Sequence, residues 1–443
     1  MSYFHLNLIL KGKLTVCCLL MLSVIPLNAQ REAKQIGDFK ESISLNEHLR
    51  GTKRTLQYRP DGDEFVCVNG KNRYTRALYG SHSPFRVETS DRPVFAFYNN
   101  GRGGNISFKV ILRDGTELAL DRTGYCESRY SAGKRTYYLT DPSWGKGELR
   151  ISVLALADMD GAIWRFSPSN MPKGAILRWQ HGGATGKRLS RNGDMGVDPA
   201  DCFELPVEAT DLVTGELPLQ KEVYLVRGEV PEDYNVRKLY QQAEAASLAL
   251  ASHLKIETPD PYLNTLGGAL VAAADGIWDG QVWLHGAIGW RMPLSGWRAG
   301  YTGDALGWHD RARTHFDAYA ASQVTDVPNT IPHPAQDSTM NLARSEKRWG
   351  TPQYSNGYIC RNPERNNQMH HYDMNLCYMD ELLWHFNWTG DTAYVRKMWP
   401  VITRHLAWEK LNYDPDNDGL YDAYACIWAS DALYYNSGAV THS

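Results

Sequence analysis

From about Phe65 to Val226, apolar residues come in short alternating or continuous runs broken by Gly, Pro, Asn and Asp, the pattern of strands joined by turns. The clearest run is Ile106–Leu112, followed by Arg113-Asp114-Gly115-Thr116 and then Glu117–Leu120. It predicts a hairpin in which Asp114 and Gly115 supply the positive φ angles of a tight turn. Further strands are expected at Val94–Tyr98, Leu149–Leu156, Ile163–Phe166, Ile176–Trp179 and Val223–Val226. With no helical stretch between them, they argue for an antiparallel sandwich.

The period then changes. Val236–Leu254 is rich in Ala, Leu, Gln and Glu and predicts a helix linking two parts of the chain. Asp260-Pro261 forms an N-cap and N1 pair opening a helix whose apolar stripe is Leu263, Leu266, Leu270, Ala274 and Ile277. A third helix is expected from Asp304 to about Ser322, and then a long Pro-, Asn- and Arg-rich segment reaches Gln368. That segment holds His333, Glu364 and Arg365, and its length marks it as a candidate functional loop. His371–Trp388 predicts a helix ending at Thr389-Gly390, and Asp391 caps another that passes through Pro400, where a kink is expected, to near Asn412. A last run, Leu420–Tyr435, follows a polar turn. The fold class is therefore α+β and multidomain: a β-sandwich over 30–232, a linker helix over 233–258, and helical hairpins over 259–443.

Composition changes this picture mainly at the start of the chain. Lys11 and Lys13 precede an apolar run, Leu14–Leu27, and then Asn28-Ala29-Gln30, which reads as a secretory signal over 1–29, cleaved after Ala29. The run is shorter than the ~18 apolar residues of a membrane span. The expected location is periplasmic or secreted, without membrane insertion after cleavage. Formal charge is -3, and loss of Lys11 and Lys13 takes it to about -5, which gives no electrostatic case for nucleic acid. Cys67, Cys126, Cys202, Cys360, Cys377 and Cys426 form no Cys-x-x-Cys pair and are expected mostly as buried apolar residues.

Five of the 14 tryptophans fall between Trp278 and Trp308, among Asp275, Asp279, His285, Arg291, Arg298, Asp304 and His309. Indole faces stack on pyranose rings, while carboxylates, guanidinium groups and imidazoles hydrogen-bond hydroxyls, so the mixture suits a saccharide cleft. Within it, Arg298-Ala-Gly-Tyr-Thr-Gly-Asp304 resembles the Arg-x-Gly-Trp-Thr-Gly-Asp segment of α-L-rhamnosidases and related six-hairpin glycosidases. The resemblance implies a sandwich followed by an (α/α)6 barrel, an exo-acting and largely inverting hydrolase, and no cofactor. On it, Asp304 binds or activates at the cleft, Arg291, Arg298 and His309 hold hydroxyl or uronate groups, and Trp290, Trp297 and Trp308 stack on sugars. The chain departs from the family where carboxylates are expected: Trp297 stands immediately before the arginine and Met292 five positions earlier. A plain alternative for Asp304 is that it caps the following helix.

Hydrolysis needs a proton donor and a second carboxylate. On the helix carrying His370-His371-Tyr-Asp373, the side chains of His370, Asp373, Cys377, Asp380 or Glu381, and Trp384 share a face. His370 and His371 are further substrate-binding candidates, and Asp373 and Glu381 further catalytic ones. Glu364 in the long loop and Asp431 among apolar residues complete the catalytic set. No metal is expected, since His309 and His315 stand six apart without a His-Glu-x-x-His motif. Asp414, Asp416, Asp418 and Gly419 imitate half a calcium loop, but Ala425 takes the place of its last ligand, so a polar turn is the reading.

The front part, including Asn69–Tyr79 and Phe85–Glu88, is similar to the N-terminal region of a bacterial family of unknown function. Its members resemble large secreted proteins of polysaccharide degraders, and the resemblance, which spans most of residues 60–440, implies plant or host glycan processing. A full barrel needs about 350 residues, against 184 from Asp260 to Ser443, so the barrel is expected to be incomplete here. Two rival readings stay open: a polysaccharide lyase, and a non-catalytic or vestigial glycan-binding protein.

Overall fold

The computed structural model describes residues 57–71, 74–99, 102–188, 212–231, 233–286, 291–326, 354–366, 374–414, 416–420, 422–423 and 439–440. Pro60–Ser443 forms one compact unit, and the fold that follows is that of this unit. The expected signal segment, Cys202, Cys426 and His333 lie outside the described residues.

Among the described residues, two seven-stranded antiparallel sheets come first. One passes through Arg59–Asp61, Glu64–Val68, Tyr125–Ser131, Lys134–Thr140, Glu148–Ala155, Gly161–Ser169 and Val223–Gly228. The other passes through Val213–Pro218, Ile176–Arg188, Arg102–Ile111, Phe95–Asn99, Arg86–Ser90 and Tyr74–Tyr79, with Glu117–Ala119 beside Arg102–Ile111. Alternation puts aromatic rings between the sheets. Phe95 meets Trp164 edge-on at 5.6 Å and Phe108 meets Phe166 at 5.1 Å, so rings of both sheets interlock in the core.

The Asp114-Gly115 hairpin forms, but with one positive φ angle rather than two. Only Gly115 has it, at 85°, while the Asp114 carboxylate accepts from the Thr116 N–H at 2.9 Å, so an Asx-type bond does the turning that Asp114's backbone was expected to do.

Among the described residues six helices follow: α1 (Val236–Ala251), α2 (Pro261–Gly276), α3 (Gly300–Ala305), α4 (His309–Ala320), α5 (Met374–Thr389) and α6 (Thr392–Tyr413). Asn235, Asp260 and Asp391 cap α1, α2 and α6 through their side chains. Helix α1 lies on the sandwich, where Tyr240 and Ala243 pack with Leu154, Leu156 and Ile163.

Helix α2 buries only part of the stripe its apolar pattern suggests, with Ala274 inside and Leu266 and Ile277 half-buried. Leu263 and Leu270 are exposed, and the buried face is Thr265, Gly267, Val271, Ala272, Ala274, Asp275 and Gly276. The reason is close approach: a Cβ on Gly267 would stand 2.6 Å from the Leu254 carbonyl oxygen, and one on Gly276 would stand 2.6 Å from the Tyr79 ring. Small residues let α2 reach its neighbours, and Leu263 and Leu270 are left outside.

The single helix expected from Asp304 to Ser322 is two helices. Gly307, with φ of 73°, reverses the chain between α3 and α4. Among the described residues, no helix is long and apolar enough to cross a membrane. Cys67, Cys126 and Cys360 are buried and Cys377 is half-buried, and burial pushes the Cys126 thiol up to about 12.

Candidate functional site

The site is a polar contact between α5 and the stretch leading into α3. Gly296, Gly300 and Asp304 recur every four residues and meet successive turns of α5. A Cβ on Gly296 would stand 1.9 Å from the Met374 carbonyl oxygen, and one on Gly300 would stand 2.6 Å from Glu381 Oε2. One turn further, Asp304 reaches His385, whose Nδ1 lies 2.9 Å from both carboxylate oxygens. Gly303 completes the seating, since a Cβ there would enter the Trp283 indole at 2.2 Å.

Asp304 does not cap a helix. It sits near the C-terminal end of α3, and α4 begins after Trp308 without a side-chain cap. The reversal at Gly307 folds α4 back so that His309 Nδ1 comes to 2.7 Å from Asp304 Oδ1. A carboxylate only 2% exposed is thus held between two imidazoles, one fully buried and one, His309, with 39% of its side chain exposed. With Asp304 as acceptor, both rings carry their proton on Nδ1. His309 then presents a lone pair at Nε2 toward solvent, while Phe316 and Tyr394 enclose the His385 ring, each at 5.4 Å.

Glu381 is buried in the same contact. Burial holds its carboxyl well above the usual range and the neighbouring Asp380 adds to this, while the Gly300 and Arg298 amides and the Arg298 guanidinium pull the other way. Neither of its oxygens meets a hydrogen-bond partner in good geometry, and an unpaired carboxyl is less costly to bury neutral than ionised. The face expected around Glu381 splits: Glu381 points inward with Asn375, Tyr378 and His385, while Asp380 and Trp384 are exposed. Asp380 instead accepts from the Tyr301 hydroxyl.

The remaining candidates are dispersed. Arg291 donates to the Gly276 carbonyl at 2.8 Å and to the His82 carbonyl at 2.6 Å, which ties α2 to the sandwich. Trp308 lies under the Arg311 guanidinium at 4.4 Å and against His253 at 5.6 Å. Trp297 stacks on His285 at 4.1 Å between ring centres. Arg298 is exposed with φ of 61°, and Glu364 is exposed with the same φ. Trp290, His370, His371, Asp373 and Asp431 lie outside the described residues. Trp278 and Trp283 belong to the helical core rather than to a cleft wall.

His315, the nearest histidine to His309 considered for a metal, is a core group. Its Nδ1 accepts from the Trp283 N–H at 3.2 Å, and burial pushes its pKa down to about 3. The partner that sequence reasoning missed is His385. It stands 81 residues from Asp304, and a lone His on a mixed helix face carries no local signal. Asp414, Asp416 and Asp418 do converge, with Asp414 and Asp418 accepting from the Gly419 and Leu420 amides, as a polar turn requires.

Residues 100–229 match a family described as a domain of unknown function (DUF4450), a narrower stretch than the similarity read over 60–440. No curated protein matches the chain. Among solved structures, a bacterial glucoamylase complexed with acarbose is similar at 9% identity and a TM-score of 0.39, over 72% of this chain and 60% of the glucoamylase chain. This chain therefore spans less than two thirds of that enzyme's length.

Proposed function

We propose that this chain is a secreted carbohydrate-active protein of the glycoside-hydrolase type, with its helices laid out as part of an (α/α)6 barrel and acting on the side chains of plant-type polysaccharides. The observation that carries the reading is Asp304. The residue that closes the Arg298–Asp304 segment is a buried carboxylate clamped by His309 and His385, with His309 reaching the surface. A buried carboxylate that fixes an imidazole by its Nδ1–H leaves Nε2 as a base able to take a proton from water or a hydroxyl. His309, Arg298 and Trp297 are the groups through which a sugar would be held. Glu381 carries the proton an acid needs but lies beneath the helix contact, so its part is to position α3. Glu364, Asp373 and Asp431 are the candidates for the proton donor.

A second reading, glycan binding without turnover, is favoured by the two positions where carboxylates are expected. Trp297 is stacked on His285, and Met292 presents its sulfur 2.6 Å from an Arg361 nitrogen. Incubation with a panel of pectic oligosaccharides separates the readings. Released monosaccharide supports hydrolysis, an unsaturated ultraviolet-absorbing product supports a lyase, and retention of sugar without any product supports binding alone.

A further inference from the structure

Asp304, His309 and His385 each offer one ligand atom, all within 4.8 Å of one another, and both imidazoles turn Nδ1 to Asp304 Oδ1. They come from the end of α3, the start of α4 and the middle of α5, so no sequence spacing announces them. We propose that these three side chains bind a divalent transition-metal ion, zinc foremost, with a fourth coordination position open to solvent beside His309.

The donor set decides the class of ion. Two imidazoles and one carboxylate suit zinc, cobalt or nickel, whereas calcium and magnesium require mostly oxygen. Three protein ligands with an open fourth position is the arrangement of zinc sites that keep a water. The geometry is close to what coordination needs. The nitrogens lie 2.7 and 2.9 Å from Asp304 Oδ1, while a tetrahedral zinc with bonds of about 2.0–2.1 Å sets its ligand atoms about 3.3 Å apart. Each donor has to retreat by about half an ångström, and His309, at the surface, is free to do so. Coordination uses the Nδ1 lone pairs, so in the bound state each neutral ring carries its proton on Nε2.

The surroundings also limit the affinity. Nε2 of His385 is buried without a hydrogen-bond partner, and metal-ligating imidazoles that lack this outer support bind about 10–100-fold more weakly than those that have it. Metal binding here requires no sugar and is read without it; because it moves the His309 proton from Nδ1 to Nε2, the metal-bound form is not the form in which His309 acts as a base.

The test is titration of the chelator-treated full chain with Co2+, followed in the visible region, and with Zn2+ by calorimetry. The expected result is one ion per chain, a tetrahedral cobalt band that zinc abolishes, and affinity at least about tenfold lower in His309→Ala. Asp416→Asn combined with Asp418→Asn is expected to leave the titration unchanged. Absence of both the band and the heat in the wild-type protein would overturn the proposal, as would an identical titration in His309→Ala. Should His309→Ala fold poorly, His309→Gln takes its place, and the wild-type titration decides by itself.

Discussion

Glu381 sits where a neutral carboxyl is tolerated and a carboxylate is not. Its folded-state pKa is raised above the ordinary value of 4.5, chiefly by burial. The contribution of this group to stability is therefore present below that value and is lost as the pH rises toward the folded pKa, because only the unfolded chain ionises freely. Each pH unit across that window costs about 1.4 kcal/mol. Glu381→Gln, which is neutral at every pH, is expected to melt higher than the wild type at pH 8 and to lose most of that advantage at pH 5. Thermal unfolding of both proteins at the two pH values checks this, and a difference independent of pH would contradict the burial account. At this scale the sequence marked Asp304 and His309 through the motif and its near neighbour. Glu381 was found by helical spacing alone, and His385 was not found, because a contact 81 residues away leaves no periodic trace.

Between elements, the spacing of Gly296, Gly300 and Asp304 matters more than any single bond, since it lets one backbone lie directly on α5. A methyl group on Gly296 would collide with backbone, which cannot rotate away, whereas one on Gly300 meets a side-chain oxygen. Gly296→Ala is accordingly expected to destabilise by about 1–3 kcal/mol or more, and Gly300→Ala by less, as read from chemical denaturation. Equal and negligible effects would mean that α3 and α5 are not packed as described. The same physics explains why the stripe on α2 misleads in part: Leu263, Leu270 and Ala274 share a periodic pattern, but close contact buries Ala274 with the glycines and leaves the two leucines exposed. Hydrophobic periodicity identifies that a helix forms and where it starts, and it fails where approach distance rather than apolar area chooses the buried face. The split between α3 and α4 was hidden for a related reason, because Gly307 falls inside a run that otherwise reads as helical.

For the molecule as a whole, the α+β order of sandwich and helices was legible because alternation and turn residues are local signals. What joins the two was not. Asp275 at the end of α2 accepts from His82 on a sandwich loop at 3.2 Å and from Arg311 on α4 at 2.7 Å. Burial alone would raise its pKa, but these two partners outweigh burial and hold it below the usual range. The stabilisation is thus present above the unfolded value of 3.8 and is lost as pH falls through the lower folded value. Asp275→Asn is expected to cost about 1.5–3 kcal/mol near neutrality, with the gap to wild type closing on acidification below pH 3.8. Urea unfolding across that range measures it, and a gap that persists unchanged in acid would show that the charge is not what joins the parts.

The carbohydrate reading depends on the Asp304 clamp being the working centre, and the direct measurement is the rate of product release from the best oligosaccharide by wild type and Asp304→Asn in the same assay. Asparagine keeps the shape and an oxygen for His385 but can no longer carry the negative charge that orients and supports a protonated His309. The account predicts a loss of about 100-fold or more in rate, with the melting temperature shifted by only a few degrees. Unchanged turnover in a folded Asp304→Asn protein would contradict it.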